Sequence, residues 1–221
     1  MKTLRFIFLG MAVSLFLATS ALAVPYIGSL VNVEDGDQTL LGGGNWVPGS
    51  SLTWEVSKLN GTWQYSYTLS VPNAPDISHL IVEVSSNFTE ANIVAEETTL
   101  GWELGTFSDA QGQSNPFIPG PIYGLKWDLT TDTRDFNWTI VTDRDPMWGD
   151  FYATGGNPQG AFGYVYNSEF GNFTLDPIAD GNAGGWALVP NTVSVPEPGT
   201  LLLLGIGIIS MSALGRRRIR R

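Results

Sequence analysis

The chain has 221 residues with 21 acidic and 11 basic side chains, one histidine and no cysteine, giving a formal charge of −10. The missing cysteine excludes disulfides, thiol nucleophiles, thiolate zinc sites and iron–sulfur ligation, and the single histidine excludes a His-rich metal centre. The acidic balance opposes nucleic acid and anionic lipid, so stability is expected to come from a packed core and partners from elsewhere.

In chain order, Lys2 and Arg5 precede an uncharged apolar run over residues 6–17, and Ala21-Leu22-Ala23 supplies the small residues that a signal peptidase reads. Residues 1–23 are therefore expected to be a signal peptide, cleaved at the Ala21–Ala23 site. Residues 24–194 are then expected to form one exported domain. In that segment only Lys58, Lys126, Arg134 and Arg144 oppose 20 of the 21 acids, so its formal charge is −16. A charge of this sign aids solubility outside the cell.

Periodicity over the domain predicts strands. Leu52, Trp54 and Val56 alternate with polar residues. Trp63, Tyr65, Tyr67, Leu69 and Val71 do the same, and Asn60-Gly61 between the two runs predicts a tight hairpin. Half-buried strands are also expected around Leu80–Val84, Leu125–Leu129 and Phe136–Ile140, with others at 29–33, 100–107, 161–166, 170–175 and 185–195. Residues 86–97 suit one short helix with Thr89 as N-cap and Asn92 and Glu96 facing outward. The Gly/Pro/Asn/Asp-rich stretches 41–50, 108–121, 143–158 and 176–184 are expected to be loops. Short strands with turn-rich joins predict an all-β fold, an antiparallel β-sandwich of jelly-roll or immunoglobulin-like type.

Within that frame no catalytic residue is assigned, and the chain is expected not to be an enzyme. Acids are abundant, but they lie in loops or on the polar phase of strands, where Glu55, Glu83 and Glu103 should point away from the core. His79 follows Ser78 on a strand with no nucleophile elbow nearby. No cofactor is expected. The acidic loop clusters at 34–37, at Asp143 with Asp145, and at Asp176 with Asp180 would suit calcium, although turn chemistry explains them equally well. Trp46, Trp148 and Tyr152 sit with Phe151 in Gly-rich surroundings, where an exposed ring would stack on a sugar face. Either such stacking or a loop folded back onto the sandwich fits the residues.

The end of the chain has three parts. Val195-Pro196-Glu197-Pro198 is a rigid peptide without two of its backbone donors, expected to be extended and exposed. Residues 200–215 carry no charge; as a helix they rise about 24 Å, slightly short of a hydrocarbon core of about 30 Å. Arg216, Arg217, Arg218, Arg220 and Arg221 then form a basic stop that the positive-inside rule keeps in the cytoplasm. The expected topology is a single-pass inner-membrane protein with its N-terminus outside.

This tail over 195–221 resembles the PEP-CTERM sorting signal, a Pro-Glu-Pro motif followed by a short hydrophobic helix and a basic cluster. Trp63, Tyr65 and Tyr67 followed by Ile77-Ser78-His79 also resemble a strand pair in the ectodomains of other PEP-CTERM proteins. The resemblance implies recognition by an exosortase of Gram-negative bacteria, removal of the tail, and delivery to the cell surface or an exopolysaccharide matrix. Two functions are then expected as alternatives. One is an acidic surface or matrix protein associated with exopolysaccharide or biofilm. The other is a carbohydrate-binding or adhesive module that uses Trp46, Trp148 and Tyr152, with calcium as an optional ligand. The partners implied are signal peptidase, exosortase, the membrane before processing and exopolysaccharide, but not nucleic acid.

Overall fold

Alternating side chains make two sheets that close on one aromatic core. A computed structural model describes residues 25–109, 115–156, 160–171 and 184–192. One sheet has the order β1 (Tyr26–Val31), β3 (Ser51–Leu59), β4 (Thr62–Ser70) and β8 (Asp135–Thr142). The other has the order β2 (Leu40–Gly44), β11 (Phe162–Asn167), β10 (Phe151–Gly156), β5 (His79–Glu83), β7 (Ile122–Asp128) and β6 (Trp102–Phe107). A ribbon of β9 (Asp145–Gly149) and β12 (Ala187–Thr192) leads directly into β10 through Asp150. Every pairing is antiparallel, and the fold is an all-β sandwich.

The β3–β4 hairpin forms where its alternation and turn residues place it. Asn60 and Gly61 take φ of 52° and 92°, the left-handed pair that a two-residue turn of matching twist requires. Leu52, Trp54 and Val56 then share one face with Trp63, Tyr65, Tyr67 and Leu69, and all are buried. Against this face the second sheet sets Leu80, Val82, Leu125, Trp127, Phe151 and Val165. Trp138 joins the layers: its ring lies 5.0 Å from Tyr67, 6.3 Å from Trp127 and 6.2 Å from Phe151. Tyr65 and Tyr67 reach past the apolar layer and donate to the carbonyls of Arg144 (2.8 Å) and Leu188 (2.7 Å), tying the ribbon to the first sheet. Burial raises the pKa of both phenols well above its usual value.

The edge of β8 is closed by the segment before β6. Thr99 N–H donates to the Thr139 carbonyl, while the Thr98 and Thr99 hydroxyls accept from Val141 and Thr139 N–H. Side chains thus occupy backbone positions that another strand would otherwise pair with. The helix expected over 86–97 is only a 3-10 turn at Glu90–Asn92. Thr89 caps it as expected, donating its N–H to Asn92 Oδ1 at 2.8 Å. Asn92 does not face outward, because the same oxygen also accepts from the buried guanidinium of Arg144 at 3.0 Å.

Other expectations shift for identifiable reasons. Residues 41–50 are not all loop, since β2 takes 40–44 and its glycines let β11 and its aromatic rings approach closely. Residues 143–158 are not a loop: β9 and β10 both lie there. Phe170 and Gly171 lie in a turn, and residues 172–175 of the strand expected at 170–175 lie outside the described residues. Ile81 is fully buried although its strand was expected to be half-exposed, because the segment after β6 returns across the outer face of the larger sheet.

Candidate functional site

The sugar-stacking residues read from the sequence are placed in the interior. Trp46 is 0% exposed, with its ring lying across Gly155 and Gly163 and its Nε1 donating to the Pro75 carbonyl at 2.7 Å. Trp148 is buried edge-on to Trp54 at 6.4 Å. Tyr152 is buried too, and its hydroxyl donates to the Pro116 carbonyl at 2.7 Å. None of the three presents a face to solvent, so the proposed sugar contact at Trp46, Trp148 and Tyr152 is withdrawn. The physical reason is that residues 145–156 are paired strand: Phe151 and Ala153 enter the sandwich core, and Tyr152 enters the layer beneath the returning segment.

That returning segment builds the most distinctive surface of the domain. Strand pairing brings Tyr166, Tyr152, Ile81 and Lys126 into one row across the outer face, and Tyr164, Thr154 and His79 into the next. Residues 115–118 cross these rows and are pinned at two points. Tyr152 holds Pro116 as described, and His79 Nε2 lies 3.0 Å from Asn115 Oδ1. The Asn115 amide is oriented by its donation to the Ser108 carbonyl at 3.0 Å, so its oxygen faces the ring and His79 Nε2 donates. Burial, with Lys126 adding to it, pushes the His79 pKa down to about 4. The single histidine is therefore neutral above that pH and serves as a clamp for the segment.

Beyond the clamp, Phe117 emerges at φ 65° and lies on Tyr164 (4.7 Å, 21°) and Phe162 (5.6 Å, 29°). Phe162, Tyr164 and Tyr166 themselves run nearly parallel, at 6.4 and 6.3 Å with interplanar angles of 8° and 6°. Phe117 and Phe162 are 53% and 43% exposed. An adjoining pair of exposed aromatics on a sheet face is the kind of patch that marks an interaction site. The strand at 161–166 was legible in the sequence. That its aromatic phase faces outward was not.

Carboxylates cluster where β9 bends into β10. Glu83 Oε2 accepts from Asp150 N–H at 2.7 Å, and Asp150 accepts from Asn167 Nδ2 (3.0 Å) and Gly171 N–H (2.9 Å). Glu83 does point to the outer face as expected, but it is largely covered. Burial, with the Asp150 charge adding to it, raises its pKa from 4.5 to about 7, and burial raises that of Asp150 as well. A raised carboxyl means that the native state holds its proton more tightly than the unfolded chain does, so stability falls as pH climbs from 4.5 through 7. His79 has the opposite sign, and its contribution is lost as pH falls from 6.5 through about 4. Glu83→Gln keeps an acceptor for Asp150 N–H and removes the charge. It should raise stability at pH 8 by about 1 to 3 kcal/mol, with the gain vanishing near pH 4. Thermal unfolding at the two pH values checks this, and an equal gain at both would contradict it.

Among the described residues, the calcium-suited clusters at 34–37 and at Asp143 with Asp145 do not converge. Asp143 accepts from Asn92 at 3.0 Å and Asp145 from Trp63 Nε1, while residues 34–37 form an exposed bend and 176–182 lie outside the described residues. Among the described residues no group of three or more acidic or histidine side chains is placed to hold a metal ion.

The targeting segments also fall outside the described residues: the Ala21–Ala23 cleavage site, the Val195–Pro198 motif, the apolar run at 200–215 and the arginines from Arg216 to Arg221. Among the described residues no helix is long and apolar enough to cross a membrane. No curated protein and no solved structure matches the chain. A family model described as the PEP-CTERM protein-sorting motif matches residues 194–221. Such a motif marks an exported protein that is anchored transiently in the membrane and processed by an exosortase. The acidic β-sandwich is thus followed by a PEP-CTERM protein-sorting motif, which occupies the last 28 residues of the chain.

Proposed function

We propose that the exported sandwich is a non-catalytic component of the cell surface or exopolysaccharide matrix, delivered there once the exosortase has removed the tail at Pro196-Glu197-Pro198. The observation that carries this reading is the sorting motif at 194–221 joined to a domain of formal charge −16. Charge of that sign keeps a protein soluble among crowded polymers and repels other copies of itself. A non-catalytic role is supported by how the most reactive-looking groups are used. His79 clamps a loop, Glu83 and Asp150 hold backbone N–H groups, and Arg144 donates to Asn87 and Asn92. The domain needs no cofactor in this reading, and signal peptidase acts at the Ala21–Ala23 site.

Fractionation of the native host tests it. The protein should accumulate in the exopolysaccharide fraction and shift to the culture medium when polysaccharide synthesis is deleted. Retention in the inner membrane in both strains, or an unchanged distribution, would contradict the proposal.

A further inference from the structure

We infer that the outer-face stripe of Phe117, Phe162, Tyr164 and Tyr166 is a docking platform for an uncharged pyranose chain. The inference deepens the matrix reading, which supplies the polymer, and places recognition at residues different from those the sequence suggested. Tyr164 does not stand up from the sheet. Its ring leans over the neighbouring strand, so close above Gly43 that a Cβ there would lie 2.7 Å from ring atoms, while at Gly44 the Phe162 carbonyl comes closest and the ring edge lies at 3.0 Å. Glycines on β2 thus let the rings lie over, and their parallel spacing of 6.3 to 6.4 Å makes a run of similarly oriented faces. Phe117 extends the run from the strap that His79 and Tyr152 pin down, and its left-handed φ is a conformation that a non-glycine residue keeps only when its surroundings impose it.

The chemistry of the stripe selects among occupants. A pyranose has a C–H-lined face that packs on an aromatic ring and equatorial hydroxyls that need partners at the ring edge. Among the described residues the hydroxyls of Tyr164 and Tyr166 make no hydrogen bond within the protein, in contrast to those of Tyr65, Tyr67, Tyr123 and Tyr152. The exposed rings of Phe117 and Phe162, beside the hydroxyls of Tyr164 and Tyr166, suit a sugar better than an apolar protein surface. Charge narrows the choice further. The stripe holds no ionisable group other than its phenols, and the acids Asp109 and Glu169 stand near its two ends in sequence. Lys126, the cation on the same face, is already paired with Glu103 (3.4 Å) and Asp128 (2.9 Å). An anionic polysaccharide would find no cation within the stripe and would be opposed by the domain's formal charge of −16. A second copy of the chain would bring another formal charge of −16 to the interface.

Affinity electrophoresis of the processed protein purified from its host, in gels containing glucan, mannan, galactan or alginate, tests the platform. Migration should be retarded by at least one uncharged polymer and not by alginate. The double variant Phe162→Ala/Tyr164→Ala should lose about tenfold or more in affinity, and Tyr164→Phe, which keeps the packing and deletes one hydroxyl, should weaken binding several-fold. Leu100→Ala, at an exposed site elsewhere, should bind as the parent does, and circular dichroism should be unchanged for all variants. The inference is overturned if no uncharged polymer retards the parent, if alginate retards it more, or if Tyr164→Phe and the double variant bind normally. It is equally overturned if sedimentation reveals a dimer that Phe162→Ala dissociates. Binding in the gel by a protein that never reaches the matrix would leave the platform standing and remove the matrix role. Matrix association that survives the double variant would do the reverse.

Discussion

Trp46→Ala should destabilise the sandwich by about 3 to 5 kcal/mol, the range for deleting a large buried aromatic. Three observations set that size. The indole is 0% exposed. It occupies the space above Gly155 and Gly163, where an added Cβ would lie 2.6 and 2.3 Å from ring atoms, so the neighbouring backbone is shaped to the ring. Its Nε1–H also satisfies the Pro75 carbonyl, and leaving a buried acceptor without a donor costs about 1 to 3 kcal/mol, a contribution that overlaps the cavity term. Domains of this kind are stable by about 5 to 15 kcal/mol, so the variant should lose a large fraction of its margin. Trp46→Phe keeps most of the volume and should cost less, while Gly163→Ala should approach the alanine variant from the opposite direction by overfilling the same site. Denaturant unfolding followed by fluorescence of the remaining tryptophans measures all three. A loss below about 1 kcal/mol for Trp46→Ala would place the ring at the surface and contradict the packing described here.

Replacing Pro196-Glu197-Pro198 by three alanines should leave export intact and hold the full-length protein in the inner membrane. This peptide lies within the sorting motif matched at 194–221. The two prolines fix φ and withdraw two backbone donors, and three alanines in their place would lift both constraints. The apolar run and the five arginines are untouched by the change. Leucine and isoleucine at the centre of a span each favour insertion by about 0.3 to 0.6 kcal/mol, and arginines at the cytoplasmic end resist passage through the core. The expected result is an all-or-none change in fractionation, from processed and released to unprocessed and membrane-bound. Release of the triple-alanine protein at the parental level would contradict the assignment of the motif.

The legible parts of this chain are those whose signal is local. The hairpin is one, because Asn60-Gly61 accepts left-handed φ and the flanking runs alternate with period two. The tail is another, because a linear motif needs no fold to be recognised. Residues 145–156 read as loop for two reasons. Pro146, Gly149, Asp150 and Gly155 are turn residues in isolation, and a strand covered on both faces does not alternate: Phe151, Tyr152, Ala153 and Thr154 are all buried. Asp150 is in fact the joint at which one long strand changes partners, from β12 to β5 and β11. The same cause misplaced the aromatic surface. Phe162, Tyr164 and Tyr166 alternate with Gly163 and Val165, and a bulky aromatic phase ordinarily faces a core. Here Trp46 already fills the inner side of Gly163, which turns the smaller phase inward and leaves the rings outside. That choice is made by a residue more than a hundred positions away, and no local pattern carries it.

The proposed function requires the exported chain to lose its tail at the sorting motif. Intact-mass spectrometry of the mature protein from its native host tests it most directly. The account predicts a species beginning at Val24 and ending at or near Pro196-Glu197-Pro198, without the apolar run and the arginines. A mature protein that still ends in Arg221 would contradict it.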